Sequence, residues 1–549
     1  MTHFVNEPSA VVTGSLDGLV RSSGGLLTRL DGYPDIKVVR RAQLPADRVA
    51  LISGGGAGHE PAHAGFVGTG LLTAAVSGEI FASPSVEAVL AAIMSVDTGA
   101  GSLLIVKNYT GDRLNFGLAA ERARGPGRQV EIVIVSDDVA LKGSPQPRGI
   151  AGTLFVHKIA GAAAESGAGL AEVTELARHV ALSVRTLGVS MSGADIPGRP
   201  PSRSFRTGTA ELGLGIHGEP GVETIEVGAA REIVGRMAAR LEEEMPGEAR
   251  VALLVNNLGG VSGLELGVIV NDLLDTSLGA RGDILVGPAA LMTSLSMKGF
   301  SISAMPLDGR TREGLLAPSE PTSSWPVART VSQLNLSPLP VAGDARTVPR
   351  SDDSLVRSML MAVSAALTDE RERLDALDAL VGDGDTGSTF ASAAGRIAGE
   401  VDQLPLADRG ALLHRLGEMV SVSMGGSSGV LISIMLTAAS VALEQGSELI
   451  PALERGGEAM QRYGGAALGG RTMLDALLPA LAQLAAGPGA AAAAAADGAA
   501  ATATMGRASA GRSANVPSSH LLGVADPGAE AVAVVFAAIA RSLGGFPIA

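Results

Sequence analysis

Six prolines, Pro318, Pro321, Pro326, Pro338, Pro340 and Pro349, punctuate residues 317–350 and leave little apolar periodicity there. Proline donates no backbone hydrogen bond and fixes φ, so such a stretch makes neither a central strand nor a helix interior. It divides the chain into two parts that must each bury a core of their own. Before it, short apolar runs rich in β-branched residues recur at 49–52, 103–106, 132–135 and 251–255. Longer segments of helical character, such as 85–94 and 151–165, lie between them. That alternation predicts sheets covered by helices. After it, strand signals nearly vanish and long Ala/Leu/Met segments such as 354–367 and 431–444 remain. The expected architecture is multidomain. An α/β domain spans 1–335, with two sub-domains dividing near residue 185; a linker spans 336–350; an all-helical domain spans 351–549. The Ala490–Ala496 run reads equally as helix or extended loop.

Composition removes several function classes. Net charge is −14 without a Lys/Arg cluster, which argues against a nucleic-acid partner. With no cysteine, disulfides, thiolate metal sites and cysteine nucleophiles are excluded. The N-terminal residues lack the basic and apolar regions of a signal peptide, and Gly or charge interrupts each apolar run before the length of a membrane span. A cytoplasmic protein without a membrane partner is expected. Only 3% of residues are aromatic, so the cores must be aliphatic and alanine-rich.

Three clusters in the first part carry chemistry. Ser53–His63 reads Ser-Gly-Gly-Gly-Ala-Gly-His-Glu-Pro-Ala-His directly after a predicted strand. Glycines at a strand's C-terminal end let backbone N–H groups approach a small polar ligand, with His59 presented beside them. Lys107-Asn108-Tyr109-Thr110-Gly111-Asp112 follows the next strand, where small-molecule sites form, and Asp112 is a candidate general base for a hydroxyl. Gly215-Ile216-His217-Gly218-Glu219-Pro220-Gly221 is a tight turn holding an imidazole. Residues 213–218 also spell G-x-G-x-x-G, but Pro220 keeps Glu219 out of the helical region where a phosphate-binding helix would have to start. Each cluster alone also fits a structural or solvated turn.

The sharpest motif of the second part is Asp378-Ala379-Leu380-Val381-Gly382-Asp383-Gly384-Asp385. Its carboxylates, on a glycine-loosened loop, are the oxygen donors that hard cations take, and magnesium so held can bridge ATP phosphates. Ser423–Gly429 precedes an apolar helix and reads as a phosphate cradle at a helix start. It also spells G-x-S-x-G, but the hydrolase elbow needs a preceding strand and a later Asp and His, whereas the surroundings are helical. Gly470–Asp475, Gly506–Ser509 and Asp526–Ala529 are individually weak.

Together these motifs resemble the dihydroxyacetone kinases, in chain order over both parts. The resemblance implies that a ketose is held covalently as a hemiaminal on His217, with His59 and Asp112 orienting it and assisting proton transfer. Gly56, Ala57, Gly58, Lys107 and Asp112 would contact the substrate. It further implies that the second domain is a helical barrel binding ATP with two Mg2+ ions, the metal ligands being Asp378, Asp383 and Asp385. Gly387, Ser388, Thr389, Phe390, Ser427, Ser428, Arg507, Asp526, Pro527 and Gly528 would contact the nucleotide. A fused chain resembles the ATP-dependent type. Its members are homodimers, and the resemblance also admits a lipid in the helical barrel and a lyase activity on flavin nucleotide. Covalent capture by an imidazole would select ketoses and aldoses over polyols such as glycerol, because only a carbonyl accepts the nucleophile.

Two departures from the family pattern stand out. Residues 199–209 are basic where an acidic segment is usual, which makes erythrulose an alternative substrate to dihydroxyacetone. Gly470 replaces a frequent Asp. A non-catalytic ketose-binding regulator is a further alternative, but such a protein should lack the metal carboxylates, and all three are present.

Overall fold

A computed structural model describes residues 3–125, 127–141, 143–198, 205–245, 247–321, 325–332, 334–337 and 348–544. The chain divides into two compact units, Met1–Leu336 and Ser337–Ala549. Most of the predicted linker and the basic residues 199–204 lie outside the described residues.

The first unit holds two large sheets and a two-stranded pairing of Gly68–Thr69 with Glu320–Pro321. In the six-stranded sheet, Ala50–Ala57 lies between the parallel strands Ala74–Ile80 and Ser102–Lys107, with Val130–Val135 beyond the latter. Val38–Arg41 and Leu27–Arg29 close the other edge antiparallel. Both faces are covered, which is why these strands read as unbroken apolar runs. Leu51, Leu103 and Ile105 pack with the helices Thr153–Ser166 and Leu170–Ser183. Ile52, Leu104 and Val106 pack with Val86–Ser95 and Thr110–Arg124. Each such side chain, removed from water, contributes about 1.5–3 kcal/mol. The central strand continues through Gly54, Gly55 and Gly56, so the glycines placed directly after the predicted strand belong to its C-terminal half.

The seven-stranded sheet begins at Arg185. Its order is Glu223–Glu226, Thr209–Leu212, Arg185–Ser190, Gly299–Pro306, Val251–Asn257, Gly282–Ala289 and Arg329–Thr330. The helices Ala230–Glu243 and Gly263–Leu274 cover one face.

The second unit is helical. Its longer helices are Ser354–Asp369, Thr386–Glu400, Arg409–Ser423, Gly426–Glu444, Leu449–Gly464, Pro488–Thr502 and Pro527–Leu543. The polyalanine run is helical, and Ala491, Ala495 and Ala499, four apart, form its buried stripe. One expectation needs correcting. Among the described residues, the helix Gly426–Glu444 is long and apolar enough, by length and composition, to cross a membrane. Gly429, which breaks the apolar run in sequence, lies inside the helix without interrupting it. It packs against Arg409–Ser423 and Leu449–Gly464.

Candidate functional site

In the first unit, strand ends and turns bring the three clusters together. His59 follows the strand Ala50–Ala57 and is fully buried. Its Nδ1 lies 2.8 Å from the carbonyl oxygen of Thr293. A carbonyl can only accept, so Nδ1 carries the proton and Nε2 the lone pair. Burial first, then the charges of Lys107 and His217, push the imidazole pKa well below its ordinary value. His59 is therefore neutral at pH 7.

His217 sits in the turn between Thr209–Leu212 and Glu223–Glu226. The rings of Tyr109, His59 and Phe81 surround it, with centroids 4.4, 4.8 and 5.5 Å away. Glu219 folds back on the turn. Its Oε2 accepts from the His217 backbone N–H at 3.0 Å, and its Oε1 lies 3.5 Å from Nδ1. Burial raises the Glu219 carboxyl, but the His217 hydrogen bond and charge and the nearby Arg148 outweigh it, leaving the pKa at about 2. An ionised Glu219 keeps the proton on His217 Nδ1 and leaves the lone pair on Nε2. Arg148 anchors the turn through Asp138, at 2.6 Å, and the Gly213 carbonyl, at 2.8 Å.

Lys107 ends its strand and Asp112 lies in the first turn of Thr110–Arg124. Both are buried, Lys107 completely and Asp112 to 3% exposure. Gly55, with φ of 154°, separates them: a Cβ there would stand 2.7 Å from Lys107 Nζ and 3.5 Å from Asp112 Oδ2. Asp112 Oδ1, His59 Nε2 and the Tyr109 hydroxyl are buried without a hydrogen-bond partner. Leaving such groups unpaired is costly, so this cluster is built to receive a small polar molecule.

In the second unit, Asp378 ends the helix Arg371–Asp378, and the loop to Thr386–Glu400 carries Asp383 and Asp385. One ligand oxygen from each of the three lies within 4.8 Å of the others. Asp378 is buried, and its Oδ2 accepts from the backbone N–H groups of Gly384, Asp385 and Thr386 at 3.0–3.2 Å. It therefore shapes the loop on which the other two stand, exposed. The convergence of three carboxylates fits a hard divalent cation.

These residues line one end of a cavity of about 760 Å³. Thr389, Phe390, Ser427, Ser428, Asp526, Pro527 and Gly528 line it as well. Ser427 and Ser428 lie in the first turn of Gly426–Glu444, where unpaired N–H groups favour phosphate. Leu431, Ile434, Met460 and Met473 supply an apolar wall suited to a base. Burial raises the Asp526 carboxyl to about 6, with Arg471 opposing.

Three candidate nucleotide residues lie outside this lining. Ser388 is turned to Asp375, which accepts its hydroxyl at 2.6 Å and its N–H at 2.8 Å. Gly387 packs too tightly against the Arg371 carbonyl to admit a Cβ. Arg507 is exposed. Glu219, Tyr109, Phe81, Arg471, Met473 and Tyr463 were not singled out from sequence. Glu219, two residues after His217, was the one with a readable signal.

An α/β unit presenting neutral imidazoles beside a lysine and a carboxylate, and a helical unit with a carboxylate cluster in a nucleotide-sized cavity, together define a small-molecule phosphotransferase. Residues 17–323 match the Dak1 domain and residues 380–541 the DAK2 domain. The chain is 47% identical over 546 residues to the dihydroxyacetone kinase of Citrobacter freundii, covering 98% of this chain and 99% of that one. It is 40% identical to the triokinase/FMN cyclase of Bos taurus, with 98% of each covered. The crystal structure of the C. freundii kinase in complex with AMP-PNP and Mg2+ superposes with a TM-score of 0.79 at 46% identity, covering 98% and 99%. The chain belongs to the dihydroxyacetone kinase family.

Proposed function

We propose that the chain is a cytoplasmic ATP-dependent kinase that phosphorylates a primary hydroxyl of dihydroxyacetone, held covalently on His217. The observation that carries this reading is the His217 turn, where a partly exposed imidazole ringed by Tyr109, His59 and Phe81 has its Nδ1 proton committed to Glu219 and its Nε2 left for a carbonyl carbon. In the capture step the Nε2–carbon bond forms and the carbonyl π pair moves to oxygen. The Nδ1 proton leaves by way of Glu219 and is the one the new alkoxide takes up, giving a neutral hemiaminal and leaving Glu219 ionised. His59 Nε2 and Lys107 orient the adduct. Asp112 Oδ1, buried and unpaired, takes the proton of the reacting hydroxyl as that oxygen attacks the terminal phosphorus of ATP and ADP leaves.

In the helical unit, Asp378, Asp383 and Asp385 would hold two Mg2+ ions. Bound there, magnesium would neutralise charge on the ATP phosphates. Thr389, Ser427, Ser428 and Gly528 contact the phosphates, and Leu431, Ile434 and Met460 take the base. The active form is a homodimer.

ATP consumption measured with dihydroxyacetone, both erythruloses, glyceraldehyde and glycerol tests the reading. Dihydroxyacetone should give the highest kcat/KM and glycerol none. Turnover of glycerol would overturn covalent capture, and a tetrulose used best would transfer the assignment to erythrulose.

A further inference from the structure

His63 lies outside the set just assigned, yet it is buried at 4% exposure against Lys107. Its Nε2 is 2.9 Å from Lys107 Nζ. On the other side of the ring, Nδ1 is 3.4 Å from Ser53 Oγ. The Ser53 hydroxyl donates its own proton to the Ile105 carbonyl at 2.7 Å. Ser53 Oγ can thus only accept from His63, which places the imidazole proton on Nδ1 and the lone pair on Nε2. Nε2 then accepts from the lysine ammonium. The relay begins at the backbone of the strand Ser102–Lys107 and returns to that strand's last residue.

We propose that His63, oriented by Ser53, is a positioning residue that holds Lys107 for the bound ketose. A lysine has four rotatable bonds, and fixing its end costs side-chain entropy. One N–H of the ammonium goes to His63, which leaves the others for Asp112 and the substrate. His63 serves only as a neutral imidazole. Burial, with Lys107, His157 and His59 around it, holds its pKa well below the ordinary value. Burial also lowers the Lys107 pKa, against the charges of Asp112 and Asp137. The groups facing the ammonium are therefore His63, His59, His157, Asp112 and Asp137. A hydrogen bond from the ammonium to a neutral acceptor favours the charged lysine.

The inference rests on the ketose reading of this site, and the variants separate the two. Lys107→Met tests the reading: unchanged kinetics in K107M would remove the ketose role of Lys107 itself. With K107M impaired, His63→Gln and His63→Asn test the inference. The Gln carbonyl reaches the position of Nε2, and the Asn carbonyl does not. H63N should lower kcat about ten- to a hundredfold, the loss expected for a buried hydrogen bond to a charged group. Its kcat/KM profile should fall off at lower pH on the basic side, because Lys107 loses a partner that stabilises its charge. H63Q should recover most of the rate and the wild-type basic limb. In the K107M background neither change should cost further activity. Equal impairment in H63Q and H63N with an unmoved pH profile would make His63 a space-filling residue. Additive losses in the K107M background would overturn the proposal in the same way. If H63N does not fold, H63Q decides alone: a wild-type basic limb with near-wild-type kcat supports the acceptor role, and loss of rate with an unmoved limb overturns it.

Discussion

The two sites handle charge in opposite ways. In the first unit, His59 and His63 are buried and neutral, and each owes its tautomer to a neighbouring oxygen, Thr293 O for one and Ser53 Oγ for the other. In the second, three carboxylates gather at the mouth of an open cavity, and two of them are exposed. The difference follows from the chemistry. An imidazole adds to a carbonyl only through an unprotonated nitrogen, and burial keeps the neighbouring His59 and His63 neutral beside it. A nucleotide with its cations must enter and leave in every cycle, so that site needs formal charge and access to water. One site is thus built by desolvation and the other by accumulated charge.

The strongest way to break this contrast is to remove the imidazole proposed as nucleophile. His217→Ala should abolish the covalent ketose adduct in mass spectra of the intact protein and lower kcat by at least about a thousandfold, as loss of a covalent catalyst does. An adduct persisting in H217A at wild-type activity would move the nucleophile elsewhere. On the charged side, Asp383→Asn should raise the Mg2+ concentration for half-maximal activity by about ten- to a hundredfold while the melting temperature stays put. Asp378→Asn should raise it similarly and also destabilise the helical unit, because the Asp378 Oδ2 orders the N–H groups of three loop residues. Identical melting of D378N and wild type would mean that Asp378 is no more structural than Asp383.

How much of this was legible beforehand differs between the units for a physical reason. The paired carboxylates Asp383 and Asp385 announce themselves because their chemistry is local: three carboxylates, with Asp378, fall within eight residues of sequence. In the ketose site, the distances that matter span the fold. His59 meets Thr293 across 234 residues, and Phe81 reaches His217 from another sheet. No periodicity encodes such pairings. Gly55 was visible as part of a glycine run, but its purpose, room between Lys107 and Asp112, appears only in three dimensions. The same limit applies to Ser388, named as a phosphate contact by the family resemblance: its hydroxyl is turned to Asp375 of the helix Arg371–Asp378, a pairing no local pattern shows. The Gly426–Glu444 helix shows the converse failure, since Gly429 reads as a break in a run that the backbone ignores.

A smaller effect probes how the neutral imidazole is prepared. Glu219→Gln keeps the shape of the His217 turn and removes the charge that binds the Nδ1 proton. We expect kcat to fall about tenfold to a hundredfold with the ketose KM nearly unchanged. The rate of adduct formation, followed by rapid-quench mass spectrometry, should fall in proportion. A loss confined to KM would mean that Glu219 only shapes the pocket.

The smallest effect separates the units by pH. His59, His63 and His157 are neutral when folded, and burial holds His157 at about 3. Unfolded, each titrates near 6.5. A depressed folded pKa means that the unfolded chain binds more protons, so the stability these residues contribute is complete above about pH 6.5 and is lost as pH falls toward the folded values. Each costs about 0.8 kcal/mol on going from pH 7.5 to 6.0. Asp137, raised to about 6 by burial, works the other way: the native state takes its proton first, which returns roughly 0.4 kcal/mol over the same interval. The first unit should therefore lose about 2 kcal/mol, equivalent to a few degrees of melting temperature. Asp526, raised to about 6 in the helical unit, gives that unit a gain of less than about 1 kcal/mol instead. The chain's single tryptophan, Trp325, is buried against Phe66 in the first unit and reports that unit's melting by fluorescence. The helical unit supplies somewhat more of the helical dichroism than the first unit, so its transition is the part of the dichroic melt that the fluorescence does not follow. Acidification to pH 6.0 should move the fluorescence midpoint downward and leave the dichroic midpoint of the helical unit level or slightly higher. Midpoints falling together would show that the imidazoles of the first unit are not held neutral by burial, and the contrast between the two sites would lose its physical basis.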